Sequence, residues 1–435
     1  MGRRVLLAHG RSRGRRVRGP IPRLRWSIAA LLCAACALNY LDRQTLSVLA
    51  ATLQAELGFS DVDYSHVTSA FLFSYTVMYA VTGRLVDRLG TRRSFLIGVS
   101  GWSAVTMLHA LARSALHLSL CRALLGAVQP VNFAAGVKAV SEWFPMRERA
   151  LAVGIFNAGT ALGGAIAVPV VSFVALRWGW RWAFVATGAA GFLWAGVWAA
   201  AYRLPADHPR LGAAERALIF SEGDRAPEAP AGGVSIGRLL RLRAAWGCIL
   251  ARALTDPISY FLYFWIPKYL QAERGFSLAA LGRYGWIPFA ALFAGNLFSG
   301  AMPRWLVARG WPLDRARKTT MLAVSCAMPL LCLSIVRVQR PGLALALMSA
   351  LSFGHAAWGN ITLPAEVFPA RVVGTVTGLG GSLGGLTGIL TQLAIGRVVQ
   401  AFSFAPIFAA ISAVYLVALA LVHLLIGELG RLRDV

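Results

Sequence analysis

Two opposite charges stand side by side inside an apolar stretch of the chain. Asp42 and Arg43 lie within an apolar run that extends from Trp26 to about Leu53. About 20 apolar residues in an α-helix cross the hydrocarbon core of a bilayer, where a charge costs several kcal/mol. Adjacent helical residues point about 100° apart, so at least one of the two faces a polar interior. The pair therefore predicts either a functional site inside a membrane or a structural ion pair that clamps two helices.

A second arginine in an apolar run points to the chemistry of the ligand. Arg122 lies deep in a predicted helix, too far from either surface to reach water easily. Arg43 and Arg122 can each offer a bidentate fork to a carboxylate. Side chains that can bond hydroxyl groups also occur in apolar runs, namely Tyr75, Gln129, Asn157 and Thr160. A sugar acid, with one carboxylate and several hydroxyls, matches this set.

The second part of the chain carries its own polar candidates. Arg252 and Asp256 are four residues apart on one predicted helix and can pair, either as part of the site or as a salt bridge beside Pro257. His355 lies mid-helix, where it is either a titrating group or a packed neutral side chain. Asp42, His355 and Asp256 are therefore the candidates for a titrating group inside the apolar runs, and so for proton coupling if protons are involved. Additional substrate-site candidates are Tyr260, Trp358, Asn360 and Gln392.

The composition indicates what positions these residues. Of 435 residues, 57% are hydrophobic and only 14% are charged, which excludes an ordinary soluble protein. The net charge of +25 comes from short basic patches between apolar runs, so membrane topology explains it better than nucleic-acid binding. We predict an all-α integral membrane protein with twelve spanning helices, at 26–52, 64–83, 93–112, 115–143, 150–176, 182–202, 245–270, 279–302, 319–337, 342–367, 372–397 and 404–426. Ser60 and Asp63 read as a capping box that opens the second helix.

The distribution of basic residues predicts the orientation. Residues 1–25 hold nine arginines and no acid. With the N-terminus inside, the inner segments hold about 30 Lys and Arg and the outer loops about seven or eight. Both termini are therefore expected in the cytoplasm.

The longest loop predicts two related halves. It splits the chain into six helices plus six, and its part 207–220 reads as a short surface helix, whereas 225–233 reads as a flexible linker. The sequence around Phe144-Pro145 is repeated around Phe368-Pro369, and Gly154 and Gly378 follow at matching offsets. The predicted divisions are a basic tail 1–25, a first bundle 26–203, a linker 204–244, a second bundle 245–426 and a tail 427–435.

The loop after the second helix carries a specific motif. The run from Gly83 to Arg93 resembles the G-x-x-x-D-R-x-G-R-R signature of the major facilitator superfamily, through Gly83, Asp87, Arg88, Gly90, Arg92 and Arg93. Asp87 at a helix end can accept bonds from an arginine or a neighbouring helix terminus and so latch the two halves in one state. The alternative is a basic loop that only sets topology. In the second half Arg304 stands where the aspartate would be, which argues against a matching latch.

Further motifs resemble the anion:cation symporter branch, and within it the hexuronate transporters. They include Asn39-Tyr-Leu-Asp-Arg43, Ser141-Glu-Trp-Phe-Pro145, Gly179-Trp-Arg-Trp-Ala-Phe184, Ala251-Arg-Ala-Leu-Thr-Asp-Pro257 and Ala365-Glu-Val-Phe-Pro369. The resemblance implies proton coupling at Asp42 and substrate contacts at Arg43, Tyr75 and Arg122. The branch has a second acid where this chain has Gln129, which cannot titrate. One dominant coupling carboxylate is therefore expected.

These features predict a secondary transporter of two six-helix bundles that imports a hexuronate with protons by alternating access. The alternatives are a transporter of the same fold for another carboxylate, such as an aldonate, an aldarate or an aromatic acid, and a non-transporting membrane sensor. A membrane enzyme is disfavoured, because no nucleophile–base cluster or metal-ligand spacing occurs. We expect no cofactor, metal or nucleic-acid partner, a monomer, and a bacterial-type inner membrane.

Overall fold

The computed structural model describes residues 21–220 and 236–429, and over these ranges it is helical without a β-strand. The helices are α1 (Leu24–Val48), α2 (Ala50–Leu57), α3 (Asp61–Leu89), α4 (Thr91–Leu108), α5 (Ala115–Val128), α6 (Val131–Trp143), α7 (Met146–Trp178), α8 (Trp180–Ala201), α9 (Ala213–Phe220), α10 (Ile236–Leu239), α11 (Arg243–Ala272), α12 (Leu278–Tyr284), α13 (Ile287–Ala308), α14 (Leu313–Arg337), α15 (Pro341–Ala357), α16 (Leu363–Val367), α17 (Ala370–Ala401) and α18 (Ala405–Ile426).

Twelve long helical segments match the twelve predicted spans, so the predicted all-α membrane fold is confirmed. Ten of them are long and apolar enough to cross a membrane. The other two, α3 and α11, have 29 and 30 residues but carry more polar side chains. Both pack against the neighbouring half as well as their own, where polar residues do not meet lipid. Three of the predicted spans are each built from two consecutive helices, namely α5–α6, α12–α13 and α15–α16.

The predicted start of α3 is confirmed in atomic detail. The Ser60 hydroxyl accepts a bond from the Asp63 amide at 3.1 Å, and the Asp63 carboxylate accepts one from the Ser60 amide at 2.9 Å. This reciprocal capping box satisfies two amides that the helix leaves free. The helix then runs past the predicted end at residue 83 to Leu89, and Gly90, at φ 74°, turns the chain into α4.

Helix pairing repeats between the two parts of the chain. In the first half, α1–α8, the closest packed pairs are α1 with α7, α3 with α5, and α4 with α8. In the second half, α11–α18, they are α11 with α17, α13 with α15, and α14 with α18. These are the same pairs after a shift of six spans, so the two halves share one architecture.

Within residues 21–220 and 236–429, the two halves meet at one end of the molecule. We call the end that holds the start of α1 and the turn at Gly90 the basic face, and the opposite end the far face. Towards the far face, Gly388 and Gly396 of α17 lie so close to α3 and α11 that neither has room for a side chain. Gly282 and Gly285 lie equally close to α7. Glycine allows this approach because it has no Cβ.

Towards the basic face the same helix surfaces separate. Gly378 lies two turns before Gly385, which contacts Thr76, and Gly83 lies two turns after Thr76. Nothing lies within 4 Å of the position that a Cβ would occupy on Gly378 or Gly83. Tyr79, one turn from Gly83, is 56% exposed. The halves therefore enclose a space that opens towards the basic face.

Polar contacts between the halves also cluster at the far face. Lys268 of α11 forms an ion pair with Asp61 at the start of α3. Nearby, the Tyr64 hydroxyl donates to the Phe264 carbonyl at 2.7 Å. We call this set, with the Gln392 contacts described below, the far-face lock.

The chain that follows the first half folds back onto it. Glu215 of α9 accepts bonds from the Leu24 and Arg25 amides at 2.8 and 3.1 Å, so it caps the start of α1. The Arg25 guanidinium pairs with both Glu215 and Glu148, at 2.7 and 2.8 Å. Burial lowers the pKa of His208, which packs against Trp143. Helix α9 confirms the predicted surface helix, in a shorter form; the predicted linker 225–233 and residues 1–20 lie outside the described ranges.

Candidate functional site

Arg43 lies at the closed end of the space between the halves, in a setting of neutral groups. Its guanidinium carbon is 4.6 to 4.8 Å from the ring centroids of Tyr40, Phe71 and Tyr75. Its Nε and Nη2 atoms donate to the Gln129 side-chain oxygen at 3.3 and 3.2 Å, and Nη2 also reaches Asn39 at 3.4 Å. Within the described residues no acid forms an ion pair with Arg43, which is 7% exposed.

Arg122 of α5 is the second cation without an acidic partner at bonding distance. It is 1% exposed, and its Nη1 atom donates to the Arg43 carbonyl at 3.1 Å. Its Nε and Nη2 atoms have no hydrogen-bond partner. A buried cation with free donors is costly unless an anion compensates it. The pair Arg43 and Arg122 is therefore suited to receive a carboxylate.

Asp42 does not pair with Arg43, which corrects the ion-pair expectation. Its carboxyl group is buried within the first half, beside Thr106 of α4 and Thr187 of α8. Neither carboxyl oxygen has a hydrogen-bond partner at bonding distance. The physical reason is helical geometry, because adjacent side chains point about 100° apart. Arg43 thus faces the space between the halves, and Asp42 faces the interior of its own bundle.

Tyrosines from the second half close the other side of the site. The rings of Tyr40 and Tyr263 are 5.6 Å apart, and Tyr260 lies within electrostatic range of Arg43 and Tyr75. Tyr75 and Tyr260 were expected here, whereas Tyr40 and Tyr263 were not. Sequence spacing could have indicated Tyr40 and Tyr263. Tyr263 is three residues from Tyr260 on one helix face, and Tyr40 is three residues from Arg43.

Asn157 and Thr160 lie on the face of α7 that is directed at the second half. Gly164 on that face contacts Phe289 and Tyr263 of the second half. Asn157 is seven residues before Gly164, so it has nearly the same direction. Asn157 is exposed and Thr160 half-buried, which places both along the open space.

Arg252 and Asp256 form the predicted pair, and groups of the protein satisfy both of its charges. Arg252 donates to one Asp256 oxygen at 3.1 and 2.9 Å and to the Thr377 carbonyl at 2.9 Å. Asn360 donates to the other Asp256 oxygen at 3.1 Å. Asn360 therefore lies in this cluster, and both charges are compensated without a ligand.

Three other candidates, namely His355, Trp358 and Gln392, lie away from the Arg43 cluster. His355 bonds the Ser259 hydroxyl at 2.6 Å and the Tyr415 hydroxyl, so it links three helices of the second half. Trp358 is 1% exposed and donates to Ser325 inside that half, because its ring points away from the open space.

Gln392 belongs to the far-face lock. Its side-chain oxygen accepts bonds from Trp265 at 2.6 Å and from Thr68 at 3.4 Å, and it is fully buried. Its place on α17 lies where that helix packs directly on α3, so it ties the halves together rather than lining the open space.

The signature loop makes its polar contacts within the first half. Asp87 accepts a bond from Lys138 of α6 at 2.9 Å, and its side chain is 75% exposed. Arg92 donates to the Ala199 carbonyl at 2.6 Å, while Arg88 and Arg93 are exposed. The latch contact that we expected across the halves is absent from this conformation of the described residues, in which the basic face is open.

Two cavities elsewhere lack the chemistry of the Arg43 cluster. One, of about 360 Å³, lies in the second half, where buried Arg317 is paired with Glu366. The other, of about 410 Å³, is an apolar groove between α13, α14 and α15. No cluster of three or more potential metal ligands occurs in the described part of the chain.

Comparison with known proteins agrees with this architecture. The chain is 34% identical to the hexuronate transporter of Escherichia coli (strain K12) over 398 residues, which cover 89% of this chain and 91% of the relative. It is 30% identical to the D-galactonate transporter of Escherichia coli O6:H1, over 94% of this chain and 97% of the relative. It is 34% identical to the galacturonate transporter of Dickeya chrysanthemi, over 64% of this chain and 81% of the relative.

Solved structures share the fold at low identity. A D-xylose–proton symporter superposes with a TM-score of 0.73 at 13% identity, covering 93% of this chain and 98% of that one. An inward-open xylose transporter from E. coli superposes with a TM-score of 0.71 at 15% identity, covering 93% and 97%. The family model described as Major Facilitator Superfamily matches residues 32–392. With twelve long helical segments in two like halves among the described residues, the chain belongs to the Major Facilitator Superfamily.

Proposed function

We propose that this protein imports a sugar acid together with a proton, with a hexuronate as the first candidate substrate. The observation that carries the proposal is the pair of buried arginines, Arg43 and Arg122, which have no acidic partner at bonding distance. Arg43 lies at the closed end of a space that is open at one face, and Arg122 lies directly behind it, where its Nη1 atom donates to the Arg43 carbonyl. An anion that enters this space compensates their charge.

The surrounding groups favour a polyhydroxylated anion. Tyr40, Tyr75, Tyr260 and Tyr263 bring phenol groups towards Arg43. Hydroxyls of a sugar acid can exchange bonds with these phenols and with Gln129, Asn157 and Thr160. The similarity to proteins named as hexuronate, galacturonate and D-galactonate transporters supports the same class.

Asp42 is the proposed coupling carboxyl. It lies in the first half beside Arg122, one residue from the substrate arginine. A proton on Asp42 removes its attraction for Arg122 and leaves that guanidinium free for the substrate carboxylate. After substrate release, Arg122 again stabilises the Asp42 carboxylate and the proton leaves. With Gln129 in place of the branch's second acid, one proton accompanies one monoanion, and transport is electroneutral.

The proposed alternating access uses the contrast between the two ends of the molecule, of which the basic face is open and the far face is closed. We assign the basic face to the cytoplasm, with both termini there, which makes this conformation inward-facing. The opposite state requires the far-face lock to break and the basic face to close, with Asp87 as the proposed latch. The protein is proposed to work as a monomer in a bacterial-type inner membrane, without a cofactor.

The test is uptake of labelled glucuronate and galacturonate into vesicles that hold the purified protein. We expect accumulation driven by an inward pH gradient, and no accumulation by Asp42→Asn, which should retain binding and substrate exchange. Galactonate, galactarate and an aromatic acid added as competitors rank the alternatives. Absence of any flux would contradict transport and favour a sensor; strong uptake driven by an inside-negative potential alone would contradict a single proton.

A further inference from the structure

A cluster of buried polar side chains, which we call the inner pocket, lies inside the first half, behind the site described above. Its members are Asp42 of α1, Thr106 of α4, His109 directly after α4, Arg122 of α5 and Thr187 of α8. Each of these side chains is at most 3% exposed. His109 has no place in the substrate site or in the far-face lock.

The inner pocket holds an unusual number of polar atoms without partners. They are both carboxyl oxygens of Asp42, which lie near the Thr106 and Thr187 hydroxyls without reaching bonding geometry, the Thr106 hydroxyl, the Nε2 atom of His109, and the Nε and Nη2 atoms of Arg122. Buried polar groups in proteins are nearly always hydrogen-bonded, and internal water supplies the bonds that side chains do not. Both acceptors and donors are among these atoms, and water can bond either kind.

The orientation of the His109 ring fixes which nitrogen is available. Nδ1 lies 2.9 Å from the Val105 carbonyl, and because a carbonyl only accepts, Nδ1 carries the hydrogen. In the neutral ring Nε2 is therefore an unpartnered acceptor. The ring is held by stacking on Phe184, at a centroid distance of 5.0 Å and an angle of 12°.

His109 stands between Asp42 and the far face. His109 follows Thr106 by three residues, and Phe184 precedes Thr187 by three. Because Thr106 and Thr187 lie beside the Asp42 carboxyl, His109 and Phe184 lie about one helical turn, roughly 5 Å along the helix axes, closer to the far face. On its other side His109 is followed within four residues by the exposed Arg113.

Few other charges face this histidine. Asp42 from α1 and Arg122 from α5 are the charged groups at the pocket. From α8 it meets Phe184, and further charged groups towards the far face are Arg113, Arg181 and Glu56, of which Glu56 accepts bonds from Trp180 and Arg181 at 2.7 Å. The closed far face blocks the route between the halves, which leaves the route through the first half.

We propose that His109 relays protons between water at the far face and Asp42 through this hydrated pocket. The inference rests on the proposed proton coupling at Asp42. His109 Nε2 takes a proton from the far-face side and passes it to pocket water, which gives a proton to Asp42; the reverse order returns it. One proton moves in net terms, and no bond between heavy atoms changes.

The test compares His109→Gln with the unmutated protein in vesicles. Glutamine keeps a donor for the Val105 carbonyl but cannot relay a proton. We expect the initial rate of pH-driven uptake to fall about tenfold, while the final accumulation ratio, the substrate Kd and exchange at equal pH stay within twofold. Loss of a relay slows proton delivery but leaves the number of protons per substrate unchanged, whereas Asp42→Asn removes the coupled proton itself. His117→Gln, at an exposed histidine on α5, is the matched control and should change nothing.

Unchanged pH-driven uptake by His109→Gln would overturn the relay, and so would a lower final ratio. Absence of pH-driven uptake by the unmutated protein would instead refute proton coupling itself. Should His109→Gln fail to fold, deuterium exchange at the ring carbon between the nitrogens decides the matter on the unmutated protein. Exchange at His109 within about tenfold of the rate at His117 supports a hydrated pocket, and an unlabelled His109 beside a fully labelled His117 contradicts it.

Discussion

The two halves share helix pairings but differ in how they neutralise the arginines of the candidate site. In the second half, Arg252 donates to Asp256, whose other oxygen is bonded by Asn360. In the first half, Arg43 meets only neutral groups and Arg122 keeps two unpartnered nitrogens. One cation is satisfied by the protein, whereas two await an anion. For the proposed site we therefore expect most of the binding energy to come from the first half, with the tyrosines of the second half facing it as neutral groups.

The strongest test removes the unsatisfied cations. Arg43→Gln and Arg122→Gln should each weaken binding of the sugar acid about 1,000-fold, about 4 kcal/mol, because a buried charge pair with the substrate is lost. Isothermal calorimetry or a thermal-shift titration measures this. Arg283→Gln, at an exposed arginine of α12, is the control. Unchanged affinity in either site variant would remove that arginine from the site.

The second test asks which arginine supports the fold. Arg252→Gln leaves Asp256 buried beside an uncharged partner and should cost about 3 kcal/mol of folding stability, seen as a lower thermal midpoint. The double variant Arg252→Gln with Asp256→Asn should recover most of that loss. Arg43→Gln leaves no acid unpaired, so its thermal midpoint should hardly change. Equal losses for Arg43→Gln and Arg252→Gln would erase the contrast between the halves.

A third change makes the first half resemble the second. Gln129→Glu places a carboxylate where the present oxygen lies 3.2 Å from Arg43. Substrate then competes with an internal anion, so affinity should fall about tenfold, about 1.4 kcal/mol, at pH 7.5. Because acid neutralises the new carboxylate, affinity should recover as the pH falls towards 5. A pH-independent affinity equal to that of the unmutated protein would show that Gln129 is remote from the bound anion.

The smallest effect is expected at the signature loop. Asp87 is largely exposed and pairs with Lys138, and such pairs contribute about 0.5 kcal/mol. Asp87→Asn should leave the Kd unchanged and slow uptake about two- to fivefold, since it alters the equilibrium between states. Stopped-flow fluorescence of the two states provides the measurement, with Lys138→Gln as the companion variant. Loss of substrate binding with normal rates of exchange between the two states would place Asp87 in the binding site instead.

Much of the fold was predictable because its signals are local. Apolar runs of bilayer length, the Ser60–Asp63 capping box and the repeated Phe-Pro segments depend on residues that are close in sequence. The pair of arginines was predictable for a similar reason, since a charge in an apolar run stands out.

The remaining features depend on tertiary contacts that no spacing rule contains. The sequence places Asp42 beside Arg43, but the packing of α4 and α8 decides that its carboxyl points into the bundle. The directions of Gln392 on α17 and Trp358 directly after α15 depend on their partners, Trp265 and Ser325, which are distant in sequence. His109 was overlooked because a single histidine near a helix end carries no pattern.

The docking of α9 has a consequence for how the molecule can be divided. Glu215 completes the start of α1 and binds Arg25, although it follows the last helix of the first half. A first half cut directly after α8 would lose the carboxylate that caps its own opening helix. A cut after Phe220 keeps that cap, so two separately produced chains should reassemble better when the break falls there. The covalent boundary between the halves is therefore later in the chain than the last spanning helix suggests.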